Sequence, residues 1–432
     1  MDIGILGGKV YVEGKFYEEN VYIKNGKVDT ITKSFLPCKK EFDAKNKLVL
    51  PGFIDPHTHF HLTVGENTSK DNFYDGSIQG ALGGVTTYID FLDPIKEANQ
   101  FHKAFENRLS LADKSVTDYS FHTTIGNPKD EAAKLLMVGQ SVGIPSLKLF
   151  TTYSSSDRRT YDYYIDDLLK VSKELRSRIV IHAENDHMVK TDADIFIKDH
   201  EKSRPVLSER TEVLKLAEMA KERDGLLYFV HISAGSTVES LLEQYNPQLI
   251  NGTILLESCP HYFLLNSQLY ETMHGYKYTM TPPLREERER QIIGKHLQHF
   301  NVIATDHCPF SFALKNREYT SLIPMGVGSI RYSFVSMFRQ FGRSIIPKFT
   351  EGPAKAYGLY PRKGNLMPGA DGDVVIFDED IVDVIEDMES IYDGMEVKGK
   401  IIDVFLRGKQ IVSEGNFLGS RGEFLKRYIT LD

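Results

Sequence analysis

Leu48-Val49-Leu50-Pro51-Gly52-Phe53-Ile54-Asp55-Pro56-His57-Thr58-His59 is the stretch on which the reading of this chain turns. An apolar run ends in two histidines one residue apart. In an extended segment alternate side chains point to one side, so His57 and His59 reach a common point from the end of a strand. Two neutral imidazoles at such a point suit zinc or a similar divalent ion. By itself a His-x-His pair is more often a surface or core pair than a site. The rest of the chain repeats the pattern of an apolar strand ending in a ligand-type residue.

Eight stretches read as strands: 48–55, 85–91, 119–125, 146–150, 178–182, 226–231, 253–258 and 301–306. Helical patterns lie between most of them. The clearest runs from Ser208, as N-cap, to about Arg223, with Val213, Leu214, Leu216, Ala217 and Ala220 as its apolar stripe. Strands alternating with helices imply a parallel sheet. Eight such units imply a closed (β/α)8 barrel, with its site at the C-terminal ends of the strands, over an open doubly wound sheet. Residues 1–50 and 362–432 are different. Short strands such as Lys9–Val12, Asn20–Ile23, Asp373–Phe377 and Ile401–Leu406, with an Asn25-Gly26 hairpin turn, predict a small β-sandwich domain built from both termini around a barrel spanning 51–361.

The strand ends carry the chemistry. The first ends at His57 and His59, the fourth holds Lys148 inside an apolar run, the fifth ends at His182, the sixth at His231 and the eighth at Asp306. Singly, each histidine reads as a hydrogen-bonded core residue and Asp306 as a helix cap. Together at strand ends they form a ligand set for two divalent ions. Lys148 is the telling member. A buried ammonium is costly and tends to lose its proton, and a neutral amine beside metal ions can take up carbon dioxide as a carbamate whose two oxygens bridge them. Such a pair of ions acidifies a bridging water and polarises a carbonyl. Asp306 would hold one ion and act as general base.

Composition narrows the partners. The 432-residue chain is 41% hydrophobic, carries a net charge of −8 and has no long basic run, which argues against nucleic acid. Its three cysteines, Cys38, Cys259 and Cys308, are too few and too dispersed for a disulfide framework, and the chain reads as cytoplasmic. No apolar run approaches a membrane span, and the first residues lack the layout of a signal peptide.

Longer motifs now add up. Asp55-Pro56-His57-Thr58-His59, Ala81-Leu82-Gly83-Gly84-Val85-Thr86-Thr87, Lys148-Leu149-Phe150-Thr151-Thr152-Tyr153, His182-Ala183-Glu184-Asn185, Ser203-Arg204-Pro205, Val230-His231-Ile232-Ser233, Glu257-Ser258-Cys259-Pro260, Thr281-Pro282-Pro283-Leu284-Arg285, Ala304-Thr305-Asp306-His307-Cys308-Pro309 and Gly369-Ala370-Asp371-Gly372-Asp373-Val374 follow in order. In this series the chain resembles the amidohydrolase superfamily, and within it the hydantoinase/dihydropyrimidinase branch of cyclic amidohydrolases. The resemblance implies a barrel with a β-sandwich, two zinc ions, a carbamylated Lys148 and hydrolysis of a cyclic amide, a dihydropyrimidine or 5-substituted hydantoin, to an N-carbamoyl amino acid. It also implies Tyr153 as the donor to the oxyanion, Thr281 as a substrate contact acting mainly through its backbone, and a homodimer or homotetramer. Two positions depart from the pattern. Met325 stands where the branch has an asparagine that contacts the substrate amide, and a thioether cannot donate a hydrogen bond. His61 stands where dihydroorotases carry an arginine for the substrate carboxylate. Hydrolysis of another cyclic amide, as by an allantoinase or dihydroorotase, is therefore the alternative, with a non-catalytic scaffold on the same fold behind it. His307, next to Asp306 in sequence, is expected to stand behind the ligand set, while His122, His187, His261 and His274 are left as structural or supporting residues.

Overall fold

The computed structural model describes residues 1–190 and 194–431. Its centre is an eight-stranded sheet in which every neighbouring pair is parallel. The strands are Phe53–Asp55, Val85–Phe91, Asp118–Thr124, Ser146–Phe150, Arg178–His182, Leu227–Phe229, Ile254–Ser258 and Val302–Ile303. Nearly every residue in them is buried, as expected of strands covered on both faces. The first and eighth strands share no ladder. They are closed by the segments just beyond them: Thr58 bridges His307, the His59 N–H donates to the His307 carbonyl at 2.8 Å, and the Thr305 N–H donates to Asp55 Oδ1 at 3.1 Å. That closure sets the His57–His59 segment beside Asp306.

The expected first strand, 48–55, is two strands in two sheets. Leu48–Pro51 lies in the second sheet, paired with Ile3–Val12 and Val374–Val384, and only Phe53–Asp55 enters the barrel. Gly52 is the joint. A Cβ there would stand 2.2 Å from Thr86 Oγ1, so no other residue lets the chain cross so close to the second barrel strand. The sixth and eighth strands end earlier than expected, because His231 (φ 39°) and Asp306 (φ 49°) are in the left-handed region and leave the sheet. The helix expected from Ser208 starts at Val206 behind Pro205. Ser208 is therefore inside its first turn rather than at its cap, and its hydroxyl donates to the Asn185 carbonyl at 3.1 Å. Val213, Leu216, Ala217 and Ala220 are buried as the stripe predicts, while Leu214 is only partly covered.

Both termini build the second, separate sheet, mostly antiparallel and nine-stranded. Its alternating residues Val21, Ile23, Val49, Val374, Ile376 and Phe405 share one apolar cluster. Lys363 ties the unit to the barrel: its buried ammonium lies 2.6 Å from Asp118 at the start of the third barrel strand and 2.7 Å from Asp373 beside the second sheet. Beyond residue 417 the tail crosses the barrel floor, bonding to the backbone of Tyr119 and Gly143. No helix among the described residues is long and apolar enough to cross a membrane.

Candidate metal centre

Three of the sequence-predicted ligands converge at the closing seam. His57 Nε2 and His59 Nε2 lie 3.1 and 3.0 Å from Asp306 Oδ1. His57 Nε2 is buried and makes no aligned hydrogen bond despite that approach, so its lone pair is directed at a point shared with the carboxylate. The other ring nitrogen fixes the tautomer: His57 Nδ1 is 2.7 Å from Glu257 Oε1, whose carboxylate also accepts from the Tyr228 hydroxyl at 2.7 Å and the His231 N–H at 3.1 Å. Burial pushes Glu257 up to about 8, against the pull of Tyr228 and Lys148.

A second pair forms across the barrel mouth. His182 Nδ1 and His231 Nε2 are 3.1 Å apart. His182 Nε2 is 2.6 Å from Glu184 Oε2 and donates to it, which leaves Nδ1 as a lone-pair donor facing His231. Burial raises Glu184, but Arg204 and His182 outweigh it and hold the carboxylate at about 2. Burial also keeps His57, His182 and His231 neutral, the form that binds metal.

Lys148 is 1% exposed, and its ammonium lies 5.4 and 5.3 Å from the rings of Phe91 and Phe150. Burial brings it down to about 8, although Asp306 and Glu257 favour its charge. An amine so placed is a poor structural cation and a good nucleophile toward carbon dioxide. The donor set thus fits a divalent pair: five nitrogen and oxygen donors in two groups, with a reactive amine in the same core.

Around these side chains the remaining residues sort themselves. The Tyr153 hydroxyl is 3.0 Å from Thr281 Oγ1, so the Thr281 side chain orients the phenol in addition to any backbone role. Tyr153 is left-handed (φ 71°), its ring centroid is 5.4 Å from that of His182, and the Arg204 guanidinium lies 5.2 Å from its ring centre. Met325 is partly buried on a segment tied to the Thr281 loop, because the Gly326 N–H donates to the Thr279 carbonyl at 3.1 Å. The buried ammonium of Lys315 clamps the same two segments, donating to the carbonyls of Thr279 and Gly326 at 2.8 and 2.6 Å.

His307 stands behind the seam. Its ring turns from Asp306 to Asp71 (2.9 Å) and accepts from the Ser329 N–H (3.0 Å), so it supports the seam through its carbonyl on His59. The supporting roles of Glu184, Arg204 and Glu257 went unread in the sequence. Each had a signal of the kind that marked Lys148, a charge within or just after an apolar strand or inside a quoted motif.

Comparisons with known proteins agree with this geometry. The model of the amidohydrolase family matches residues 48–411. A D-hydantoinase of Ralstonia pickettii is 30% identical over 99% of both chains. A D-phenylhydantoinase of Escherichia coli is 32% identical over 91% of this chain and 90% of its own. A D-hydantoinase crystal structure superposes with a TM-score of 0.92 at 30% identity, covering 99% of each chain. This chain belongs to the amidohydrolase family, in its hydantoinase and dihydropyrimidinase branch.

Proposed function

We propose that the chain opens a cyclic amide, a 5-substituted hydantoin or a dihydropyrimidine, to an N-carbamoyl amino acid at a centre of two zinc ions. The observation that carries this is the His57–His59–Asp306 cluster, with Lys148 buried in the same core, in a chain of this family. His57, His59 and Asp306 would hold one ion, His182 and His231 the other, and Lys148 as its carbamate would reach both. When bound, the two ions supply a water of lowered pKa and a polarised substrate carbonyl.

The chain's own residues do the rest. The Asp306 carboxyl is held below the usual carboxylate range although burial opposes this, and His59 Nε2 lies within hydrogen-bond reach of it at 3.0 Å. Asp306 accepts the proton of the attacking water and returns it to the departing ring nitrogen. The Tyr153 phenol donates to the oxygen that gains charge, and its proton is free for that task when Thr281 Oγ1 donates to the phenolic oxygen. Glu257 and Glu184 hold the tautomers of His57 and His182. The Thr281 and Met325 segments flank the substrate ring, and Met325 offers an apolar surface where the branch offers an amide. A reducing, cytoplasmic setting fits the three free thiols, and a homodimer or homotetramer fits the branch.

The test is a ring-opening panel on zinc-loaded protein, with Asp306→Asn as blank: dihydrouracil, hydantoin, a bulky 5-substituted hydantoin, allantoin and dihydroorotate. Turnover of one or more of the first three, lost in the variant, is the expected result. Turnover of allantoin or dihydroorotate alone would keep the mechanism and overturn the substrate. Silence across the panel with two ions bound would overturn the catalytic reading.

A further inference from the structure

Arg427, in the C-terminal tail, is fully buried in the barrel floor, and no step above uses it. Its Nε donates to Ser120 Oγ at 2.8 Å, its Nη1 to the Tyr357 carbonyl at 3.2 Å, and its Nη2 to the Phe121 carbonyl and, at 2.9 Å, to Ser146 Oγ. A staple would need only the backbone bonds the tail already makes. The guanidinium instead begins a chain of hydrogen bonds that runs to the other end of the barrel.

The direction of each link follows from the donors available. His122 Nε2 is 2.9 Å from the Pro56 carbonyl, which only accepts, so Nε2 carries the proton. Burial and the Arg427 charge keep His122 neutral, so Nδ1 is a lone pair. Ser146 Oγ, 2.7 Å from that nitrogen, must then donate to it, which leaves the serine oxygen to accept from Arg427. All three links point one way, from cation to carbonyl, and aligned links of this kind polarise one another.

The last link acts on a ligand. The Pro56 carbonyl belongs to the peptide that enters His57, and the N–H of the same peptide donates to Asp55 Oδ1 at 3.2 Å. The peptide is therefore held at both ends, by His122 and by Asp55. Its plane sets the backbone from which the His57 ring projects. The ring of His122 is itself packed between Phe91 (centroids 4.8 Å) and Tyr357 (4.8 Å).

We infer that Arg427 is a positioning residue for the metal centre, acting through Ser146, His122 and the Pro56 carbonyl on the orientation of His57. The C-terminal tail thereby completes the site from the opposite face of the barrel. This rests on the reading of His57 as a metal ligand.

The test measures zinc affinity of chelator-stripped, folded protein by competition with a chromogenic chelator, beside the melting temperature. Arg427→Met, Ser146→Ala and His122→Phe are each expected to weaken zinc binding roughly tenfold or more, the usual effect of losing an outer partner of a ligand. The double variant Arg427→Met/His122→Phe is expected to bind no worse than the weaker single, because one chain is broken twice. Arg427→Lys, which keeps the charge and one donor, is expected to recover part of the affinity. If Arg427→Met does not fold, Ser146→Ala and His122→Phe decide the matter. Wild-type affinity in these variants, with only the melting temperature lowered, would overturn the inference and leave the tail as a floor staple. Absence of zinc binding by the wild type would overturn the metal reading itself, and this inference with it.

Discussion

Replacing Lys148 by methionine is expected to stabilise the metal-free protein while destroying the enzyme. Lys148 is 1% exposed, and burial lowers its pKa from 10.5 to about 8. That difference corresponds to about 3 kcal/mol of destabilisation when the amine is charged in both folded and unfolded states. Since the folded value is the lower one, the penalty is complete below about pH 8 and fades as pH rises toward 10.5. Methionine has a similar length, packs well among aromatic rings and carries no charge. For a chain of this size, 3 kcal/mol moves the melting temperature by about 3–4 °C. The assay is calorimetry of chelator-stripped protein in carbon dioxide-free buffer. At pH 7 Lys148→Met is expected to melt that much above the wild type, with the gap closing by pH 10. Zinc and bicarbonate are then expected to stabilise the wild type and restore its activity, and to do neither for the variant. Equal melting across the pH range would mean that the amine reaches solvent. Full activity in Lys148→Met would refute its bridging role.

Tyr153→Phe is expected to lower kcat roughly a hundredfold with little change in KM, the effect of removing one oxyanion donor; a change in KM alone would count against that role. Arg204→Met leaves the Glu184 carboxylate buried without its guanidinium and is expected to cost about 3–5 kcal/mol in denaturant unfolding. Glu184 also sets an acid limit. Its folded value near 2 lies below the ordinary 4.5, so it contributes about 3 kcal/mol that is present above pH 4.5 and lost as pH falls toward 2. Glu184→Gln should flatten that limb.

The convergence of His57, His59 and Asp306 was legible because strand ends in a barrel share one mouth, and the same residue-type and strand-position reading puts Lys148, His182 and His231 among the proposed ligands. The details that aim these side chains were not. Gly52 reads as an ordinary loop glycine until the second barrel strand is seen 2.2 Å from its missing Cβ. The left-handed backbone at Tyr153, His231 and Asp306 is not announced by residue type, since even Asp and His adopt it only in a minority of positions. Ring tautomers depend on pairings the sequence does not announce: Glu257, far along the chain, for His57, and for His182 the nearby Glu184, itself held by the more remote Arg204. The ring of His307 turned to Asp71 because a neighbour in sequence need not be a neighbour in chemistry. Arg427 lies outside every motif, and only the path of the tail gives it a role.

The most direct measurement of the central claim is hydrolysis of a 5-substituted hydantoin as zinc is titrated into stripped protein in bicarbonate. Activity is expected to rise from zero to a plateau at two equivalents per chain, and Asp306→Asn to stay silent throughout. Full turnover without metal, or two bound equivalents with no turnover, would contradict the account.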